Sequence, residues 1–493
     1  MAKVEEMKKK FYITTSIAYT NAPPHLGFAL ELVQADVIAR YHRLLDEDVF
    51  FLTGTDEHGF KVAEAAEKER KSPEVFVGKI SAQFRELTKV LNISNNDFIR
   101  TTEERHLLVV REVWKKLREK NDVYLKHYTG WYCKGCEAFI TEKTEHEAGP
   151  PRCAVHRQRC ELIKEKNWFF KLSDYTPDIK RAIENNGQDG INIIPEERKN
   201  EILKVLTQEW IDFGDNLAKK TGPIDVSFSR SAEKLRWGIP VPDDNSQTIY
   251  VWADALLNYI SALGSPESKK FKEFWPPDVQ CIGKDILKFH SLIWPAMLLS
   301  LRLKLPKNIF VHGFITSADQ KMSKSLGNVI DPFELVERYG TDAVRYFLLR
   351  EIPPTEDGDF TYEKFKQRYN ADLANGLGNL FSRTVALSEG VEIVNPKFQK
   401  EIERTKDEYK KALDNFKFSE SLGFIWDLIS FCDKYIDKER PWEKRDNKNE
   451  VIGGLLFTLD EIARLLEPFL PETAKNISEQ IKIRKIKPLF PRI

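Results

Sequence analysis

The spacing of apolar positions changes several times along the chain, and each change marks a different kind of element. Phe11-Tyr12-Ile13-Thr14-Thr15, running on to Ile17, alternates and is rich in β-branched residues, the pattern of a strand. Asn21-Ala22-Pro23-Pro24 breaks it, and Leu26 to Leu44 has helical spacing. A second strand, Val49-Phe50-Phe51-Leu52-Thr53, is expected to end at Gly54, with helical stretches following over residues 61–91 and 104–120. Strand–helix–strand alternation predicts a parallel sheet with helices on its faces. The period then fails: residues 128–161 are polar, bear Cys and His, and read as an insertion. Strand-like alternation returns at Thr248-Ile249-Tyr250-Val251-Trp252, at Val279-Gln280-Cys281-Ile282 before Gly283, and at Asn308 to Gly313. Beyond Lys366 the spacing is helical to about Asn476, and no fixed-period repeat occurs. The expectation is a split α/β domain carrying an insertion, followed by a helical domain.

Composition narrows the function classes. The 493 residues suggest about three domains at roughly 150 residues each. Hydrophobic residues make up 41% and charged residues 31%, enough for a sizeable core under a solvated surface. Lys plus Arg (76) balances Asp plus Glu (76), which excludes a globally basic nucleic-acid binder but leaves room for a local basic face. The apolar run Leu292 to Leu301 is far short of the roughly 20 residues of a membrane span. Lys8-Lys9-Lys10 leads into a strand rather than an apolar helix, so no secretory signal is expected. Four of the six cysteines, Cys133, Cys136, Cys153 and Cys160, fall in one segment, which points to metal ligation in a reducing cytoplasm.

Three motifs carry candidate chemistry. Pro23-Pro24-His25-Leu26-Gly27 lies where the first strand gives way to a helix. Ligands of open α/β sheets bind outside the carboxyl ends of strands, and a helix N-terminus favours phosphate. His25 can donate to a phosphate oxygen, and Gly27 removes a side chain so that a flat base or ribose could approach. Lys321-Met322-Ser323-Lys324-Ser325 places two lysines three apart among small hydroxyl residues, suited to clamping polyphosphate. Walker-type spacing is absent at both Gly283-Lys284 and Gly78-Lys79. Cys133-Lys134-Gly135-Cys136 and Cys153-Ala154-Val155-His156 form two half-sites able to supply four tetrahedral ligands to a structural zinc, with Cys160 and His146 as competing fourth ligands.

Together the motifs carry a family resemblance. His25-Leu26-Gly27-Phe28 resembles the HIGH motif and Lys321 to Ser325 is a KMSKS motif, in the order found in class I aminoacyl-tRNA synthetases. Thr53-Gly54-Thr55-Asp56-Glu57-His58-Gly59, Phe98-Ile99-Arg100-Thr101-Thr102, Tyr250 to Tyr259, Cys281-Ile282-Gly283-Lys284-Asp285 and Phe289 to Ala296 narrow the resemblance to methionyl-tRNA synthetases. It extends over essentially the whole chain. It implies a Rossmann-like catalytic domain in two halves (1–125 and 241–310) around a zinc-bearing connective insertion (126–240). A KMSKS and stem-contact region (311–365) and an all-α anticodon-binding domain (366–493) would follow. The implied activity is a two-step ligation. L-Methionine and ATP form methionyl-adenylate with release of pyrophosphate, and the acyl group passes to tRNA(Met). Mg²⁺ would accompany ATP, one zinc would be structural, and the protein is expected to be a cytoplasmic monomer.

The same resemblance assigns roles to residues. Asp56 would hold the methionine ammonium. Ile17, Tyr19, Trp252, Ala255, Tyr259 and His290 would form the side-chain pocket, where aromatic edges suit a thioether and Tyr or His can add a weak hydrogen bond. Arg230 would balance Asp56 or a nearby carboxylate. Gly283 and Asp285 would take the ATP ribose, and His25, Gly27, Lys321, Ser323 and Lys324 the rest of the nucleotide. Asn379 and Arg383, four apart on one helix face, match the anticodon-reading helix, and Trp442 would stack on an unpaired base. One departure stands out: Phe28 occupies the place of the second HIGH histidine and cannot donate to phosphate. Either His25 suffices, another group substitutes, or activation is impaired. The compact insertion argues against synthetases for Leu, Val or Ile, which carry large editing domains.

Overall fold

The computed structural model describes residues 8–133, 138–140, 150–152, 158–186, 190–207, 210–212, 217–219, 225–317, 320–321, 328–443 and 447–493. These fold as two compact units. One comprises Met1–Pro23, Glu47–Glu86 and Asn95–Val311; the other comprises Pro24–Asp46, Leu87–Ser94 and His312–Ile493.

The first unit is built on a seven-stranded sheet. Its central strand Lys10–Thr14 pairs in parallel with Asp48–Asp56 on one side and Val279–Gly283 on the other. Asp97–Arg100 extends the sheet beyond Asp48–Asp56, while Asn308–His312 and Asn192–Ile194 extend it beyond Val279–Gly283. Chain order therefore reverses direction at the first strand. That switch point is where open α/β sheets bind ligands, outside the carboxyl ends of the strands. The sheet's strands are buried along nearly their whole length, as expected when both faces of a parallel sheet are covered.

The strand at 48 does not stop at Gly54 as the sequence suggests but runs to Asp56. Gly54 serves a close approach rather than a turn: a Cβ there would lie 2.0 Å from the Ile99 carbonyl oxygen of the neighbouring strand. A second difference concerns Trp252. The strand is Asp244–Ile249, and Val251–Ala255 is helical, so alternation covers only the strand's end. Within the insertion, Val123–Cys133 and Glu161–Phe170 form a long antiparallel ladder from Val123↔Phe170 to Tyr132↔Glu161.

The second unit combines the helix Leu26–Leu44 with elements from the C-terminal half. Asp36, fully buried, bonds to the equally buried Arg345 at 2.8 Å and to Arg40 at 2.7 Å. Burial works against the Asp36 carboxylate, but Arg345, Arg40 and Ser94 outweigh it and hold its pKa below the ordinary value. Helices Gln399–Asp414, Phe418–Glu439, Lys448–Leu466 and Pro471–Ile483 fulfil the expected helical C-terminal region.

Candidate active site and anticodon face

At the carboxyl ends of the first unit's strands, Tyr19 lies in register opposite Asp56, which is buried. Gly59, at φ +123°, leaves room for the Tyr19 hydroxyl, which would sit 2.2 Å from a Cβ at that position. An aromatic box stands on the helix whose Asp254 bonds His58, two residues past Asp56. The short helix Val251–Ala255 presents Trp252 and Ala255, and Trp252 stacks on Phe289 with ring centroids 3.9 Å apart. A wide helical turn at Phe289–Ile293 places His290, edge-on to Trp252 at 6.1 Å. Tyr259 Oη lies 2.8 Å from His290 Nε2, and His290 Nδ1 lies 3.0 Å from the Ile286 carbonyl. A carbonyl only accepts, so Nδ1 carries the proton and, in the neutral ring, Nε2 accepts from the Tyr259 hydroxyl. Tyr259 is further fixed by Tyr12, which donates to its carbonyl at 2.8 Å, and by the Trp294 ring at 5.6 Å. Ile17 packs against the same core. Arg230 donates to Ser227 and Ser229 and lies over the Tyr250 ring at 4.2 Å.

At the switch point, buried Gly283 ends its strand and begins a single 3₁₀ turn, Lys284–Ile286, which carries Asp285 at the surface. The Ser16 N–H donates to the Cys281 carbonyl at 2.9 Å, tying the segment after the first strand to this neighbour.

Sequence reasoning gave no role to a buried chain of groups behind the Asp56 loop. His58 Nδ1 lies 2.7 Å from Asp254 Oδ2, and His106 Nε2 lies 2.8 Å from Asp254 Oδ1. Burial penalises the Asp254 carboxylate, yet His58 and His106 together hold its pKa below the ordinary value. Alongside it, Arg100 donates twice to Glu57, at 2.7 and 3.0 Å.

In the second unit, His25 caps the helix Leu26–Leu44, its Nδ1 accepting from the Gly27 N–H at 3.1 Å. The neutral ring therefore carries its proton on Nε2. Gly27 has a local reason to lack a side chain: a Cβ would come within 2.9 Å of His25 Cε1. The first turn holds no acidic residue. Leu26 N–H donates to the Ile330 carbonyl at 3.3 Å, and His312 Nε2 lies 2.8 Å from Glu31 Oε2. Both flanks of the lysine motif thus meet this helix. Lys321 belongs to the short strand Gln320–Lys321, paired to Ile315–Ser317, while Ser323 and Lys324 lie outside the described residues.

This geometry meets a consistent set of relatives. A family described as class I tRNA synthetases (M) matches residues 11–150 and 141–385, and the anticodon-binding domain of tRNA ligase matches residues 397–488. Methionine–tRNA ligase of Thermotoga maritima is 40% identical over 494 residues, covering 97% of this chain and 76% of its own. That of Brucella suis is 39% identical over 501 residues, covering 98% and 94%. Mycobacterium tuberculosis methionyl-tRNA synthetase, solved in complex with methionyl-adenylate, superposes with a TM-score of 0.88 at 34% identity, covering 98% of this chain and 100% of that one. The chain belongs to the methionyl-tRNA synthetase family.

The family's helical region has its own candidate face. Asn379 opens the helix Asn379–Ala386, exposed, and Arg383 follows one turn later. The Arg383 guanidinium lies 5.7 Å from the Trp442 ring centroid and donates to Asp437 at 2.5 Å. Trp442 is 46% exposed, unusual for a large aromatic ring and unlike the core position a tryptophan after proline usually takes. Burial pushes the nearby Asp433 carboxyl up to about 6, Arg383 opposing and Asp437 adding to it.

Of the candidate metal ligands, only Cys133 is described. It ends the strand Val123–Cys133 and pairs with Ala138 of the strand Ala138–Ile140. Cys160, the weighed alternative, packs with it: both are buried beside Trp131, and both are reduced thiols. Cys160 N–H donates to the Pro151 carbonyl at 2.9 Å. Cys136, His146, Cys153 and His156 lie outside the described residues. Among the described residues no group of three metal-ligating side chains occurs, and no helix is long and apolar enough to cross a membrane.

Proposed function

We propose that this chain is a methionine–tRNA ligase: it activates L-methionine with ATP, releasing pyrophosphate, and transfers the methionyl group to tRNA(Met). The observation that carries this reading is the Trp252–Tyr259–His290 box, tied to the loop after Asp56 through the His58–Asp254 bond, in a family member. Asp56 holds the substrate ammonium by a charge-assisted bond. Ile17, Tyr19, Trp252, Ala255, Tyr259 and His290 enclose the thioether. Since the Tyr259 proton is directed at His290 Nε2, the sulfur meets ring edges, which favour it by roughly 0.3–1.5 kcal/mol per contact. Gly283 and Asp285 take the ATP ribose.

His25 presents an Nε2 proton to phosphate, and Gly27, Lys321, Ser323 and Lys324 complete the phosphate contacts as charge develops in adenylation. Phe28 leaves that task to His25 and the lysines. Mg²⁺ accompanies ATP and neutralises phosphate charge. A structural zinc suits the insertion: Cys133 with Cys136, Cys153 and His156 would hold it, and buried Cys160 is the alternative fourth ligand. Asn379, Arg383 and Trp442 read the anticodon. We further propose the five-part division of the sequence reading, a monomer, and a cytoplasmic site of action.

Amino-acid-dependent ATP–pyrophosphate exchange across the twenty amino acids tests the reading. Exchange with methionine is expected from the wild type and from Phe28→His. A folded protein inactive in both forms, or one selecting another amino acid, overturns it.

A further inference from the structure

Asp254 lies between Trp252 and Ala255 on the helix Val251–Ala255, but its own side chain is buried. A lone carboxylate in such a place would be driven to take up a proton. Here imidazoles meet both oxygens: His58 Nδ1 stands 2.7 Å from Oδ2, and His106 Nε2 stands 2.8 Å from Oδ1. An ionised carboxylate only accepts, so His58 carries a proton on Nδ1 and His106 carries one on Nε2. In its neutral form His106 then accepts at Nδ1 from the Ser261 hydroxyl, 2.8 Å away.

Resting on the ligase reading, we propose that Asp254 is a positioning residue for methionine: through His58, and through His106 with Ser261, it fixes the Asp56 loop, the helix of Trp252 and Ala255, and the helix of Tyr259 relative to one another.

The bonds reach every segment that must agree on one substrate. His58 lies two residues past Asp56, on the loop that would hold the ammonium. Asp254 shares a helix with Trp252 and Ala255, and Ser261 ends the helix Asn258–Ser261, which carries Tyr259. His106 stands in the first turn of the helix Glu104–Glu119 and bridges the last two of these segments. The Asp56 loop is also held from the sheet side. Buried Glu57 accepts from Thr55 Oγ1 at 2.8 Å, from Thr102 Oγ1 at 2.6 Å, and from Arg100 at 2.7 and 3.0 Å. Those donors belong to the strand that ends at Asp56 and to the segment after its neighbour Asp97–Arg100. The His58–Asp254 bond carries the same loop across to the helix of Trp252. Methionine is short, so the group that takes its ammonium and the rings that take its thioether must keep a set separation. A misplacement of about 1 Å can cost about 100-fold. The residues assigned to ATP lie on other segments of the chain, so loosening this hub should affect methionine and spare ATP.

The test is steady-state pyrophosphate exchange, with KM measured separately for methionine and for ATP, beside the melting temperature of each protein. Asp254→Asn sets an amide N–H₂ against one of the imidazole N–H groups, and His58→Leu removes the donor to Oδ2. Both are expected to raise KM for methionine about ten-fold or more, the worth of a buried bond to a charged group. KM for ATP should stay within about two-fold of wild type. His58→Asn returns an N–H near the place of Nδ1, and is expected to bring KM for methionine back to within about three-fold of wild type. A merely structural part would lower the melting temperature without separating the two substrates. Should Asp254→Asn not fold, the two His58 variants decide alone. The proposal is overturned by a His58→Leu protein whose KM for methionine is unchanged, or by one whose two KM values rise together. A His58→Asn protein as impaired as His58→Leu overturns it too, since ring volume and not the N–H would then matter. Absence of exchange in the wild type would instead overturn the ligase reading on which the proposal rests.

Discussion

Tyr259→Phe separates two ways of recognising a thioether. In the structure the Tyr259 hydroxyl is directed at His290 Nε2 at 2.8 Å, because His290 Nδ1–H is committed to the Ile286 carbonyl. Deleting the hydroxyl leaves Nε2 without its donor. In the open pocket water replaces it; once the substrate fills the pocket that water is expelled, and a buried acceptor is left unsatisfied. The penalty is about 1–3 kcal/mol, so KM for methionine in pyrophosphate exchange should rise about five- to 150-fold. The same penalty falls on norleucine, which has the same shape without sulfur. If the sulfur is read by the edges of Trp252 and the Tyr259 ring, which phenylalanine retains, the methionine-to-norleucine ratio of kcat/KM should stay within about two-fold of wild type. The measurement is steady-state exchange with both amino acids on both proteins. A ratio that collapses while KM for norleucine stays constant would show that the hydroxyl itself bonds to sulfur, and would refute the tautomer argument.

Other expectations follow from different parts of the molecule. Trp442→Leu should lower kcat/KM for tRNA charging by about five- to 150-fold, the worth of one stacked base; charging equal to wild type would remove Trp442 from the anticodon face. Burial lifts the Asp342 carboxyl to about 6 despite the Thr473 N–H bonded to it, so its ionisation opposes folding above that pH and stability rises as pH falls from 6 toward 3.8. In urea unfolding, Asp342→Asn should therefore gain about 3 kcal/mol on the wild type between pH 4 and pH 8; a pH-independent difference would contradict the shift. Metal analysis of the purified protein should give about one zinc per chain, reduced by Cys133→Ser; a full equivalent in that variant would exclude the thiol as a ligand. Arg345→Lys should lower thermal stability measurably, since a single ammonium cannot serve Asp36 and three carbonyls at once; an unaltered melting temperature would deny the network that weight.

The sheet that carries the candidate site was legible because its strands are local in sequence. The strand before Pro23-Pro24, the strand ending in the Asp56 run and the strand before Gly283 each precede a candidate motif, and the structure makes them neighbours in one sheet. What was hidden is non-local. His58, His106 and Asp254 come from three distant segments, and no spacing rule links them until the sheet is assembled. Trp252 misled because two strand-like residues, Thr248 and Ile249, run into a helix that begins after Tyr250, whose backbone is extended. Gly54 misled because a glycine that admits a neighbouring backbone looks in sequence like one that ends a strand.

The helix that carries His25 is not simply a catalytic-domain element. Its N-terminal turn is held by the Ile330 carbonyl, its second turn by His312 through Glu31, and its middle by Arg345 through Asp36. Arg345 in turn donates to the carbonyls of Phe469, Pro468 and Leu91, at 2.8, 2.9 and 3.0 Å. Phe469 and Pro468 immediately precede the last helix of the helical region, Pro471–Ile483. One fully buried guanidinium thus joins the helix capped by His25 to the backbone of the region that carries Trp442. A buried ion pair is weak evidence for stability, because desolvation offsets much of the attraction. Here its bonds to carbonyls from two other segments make it more specific than stabilising: apolar replacements would leave three acceptors unsatisfied. The arrangement fits a unit in which one buried network both holds the helix capped by His25 and anchors the backbone before Pro471–Ile483.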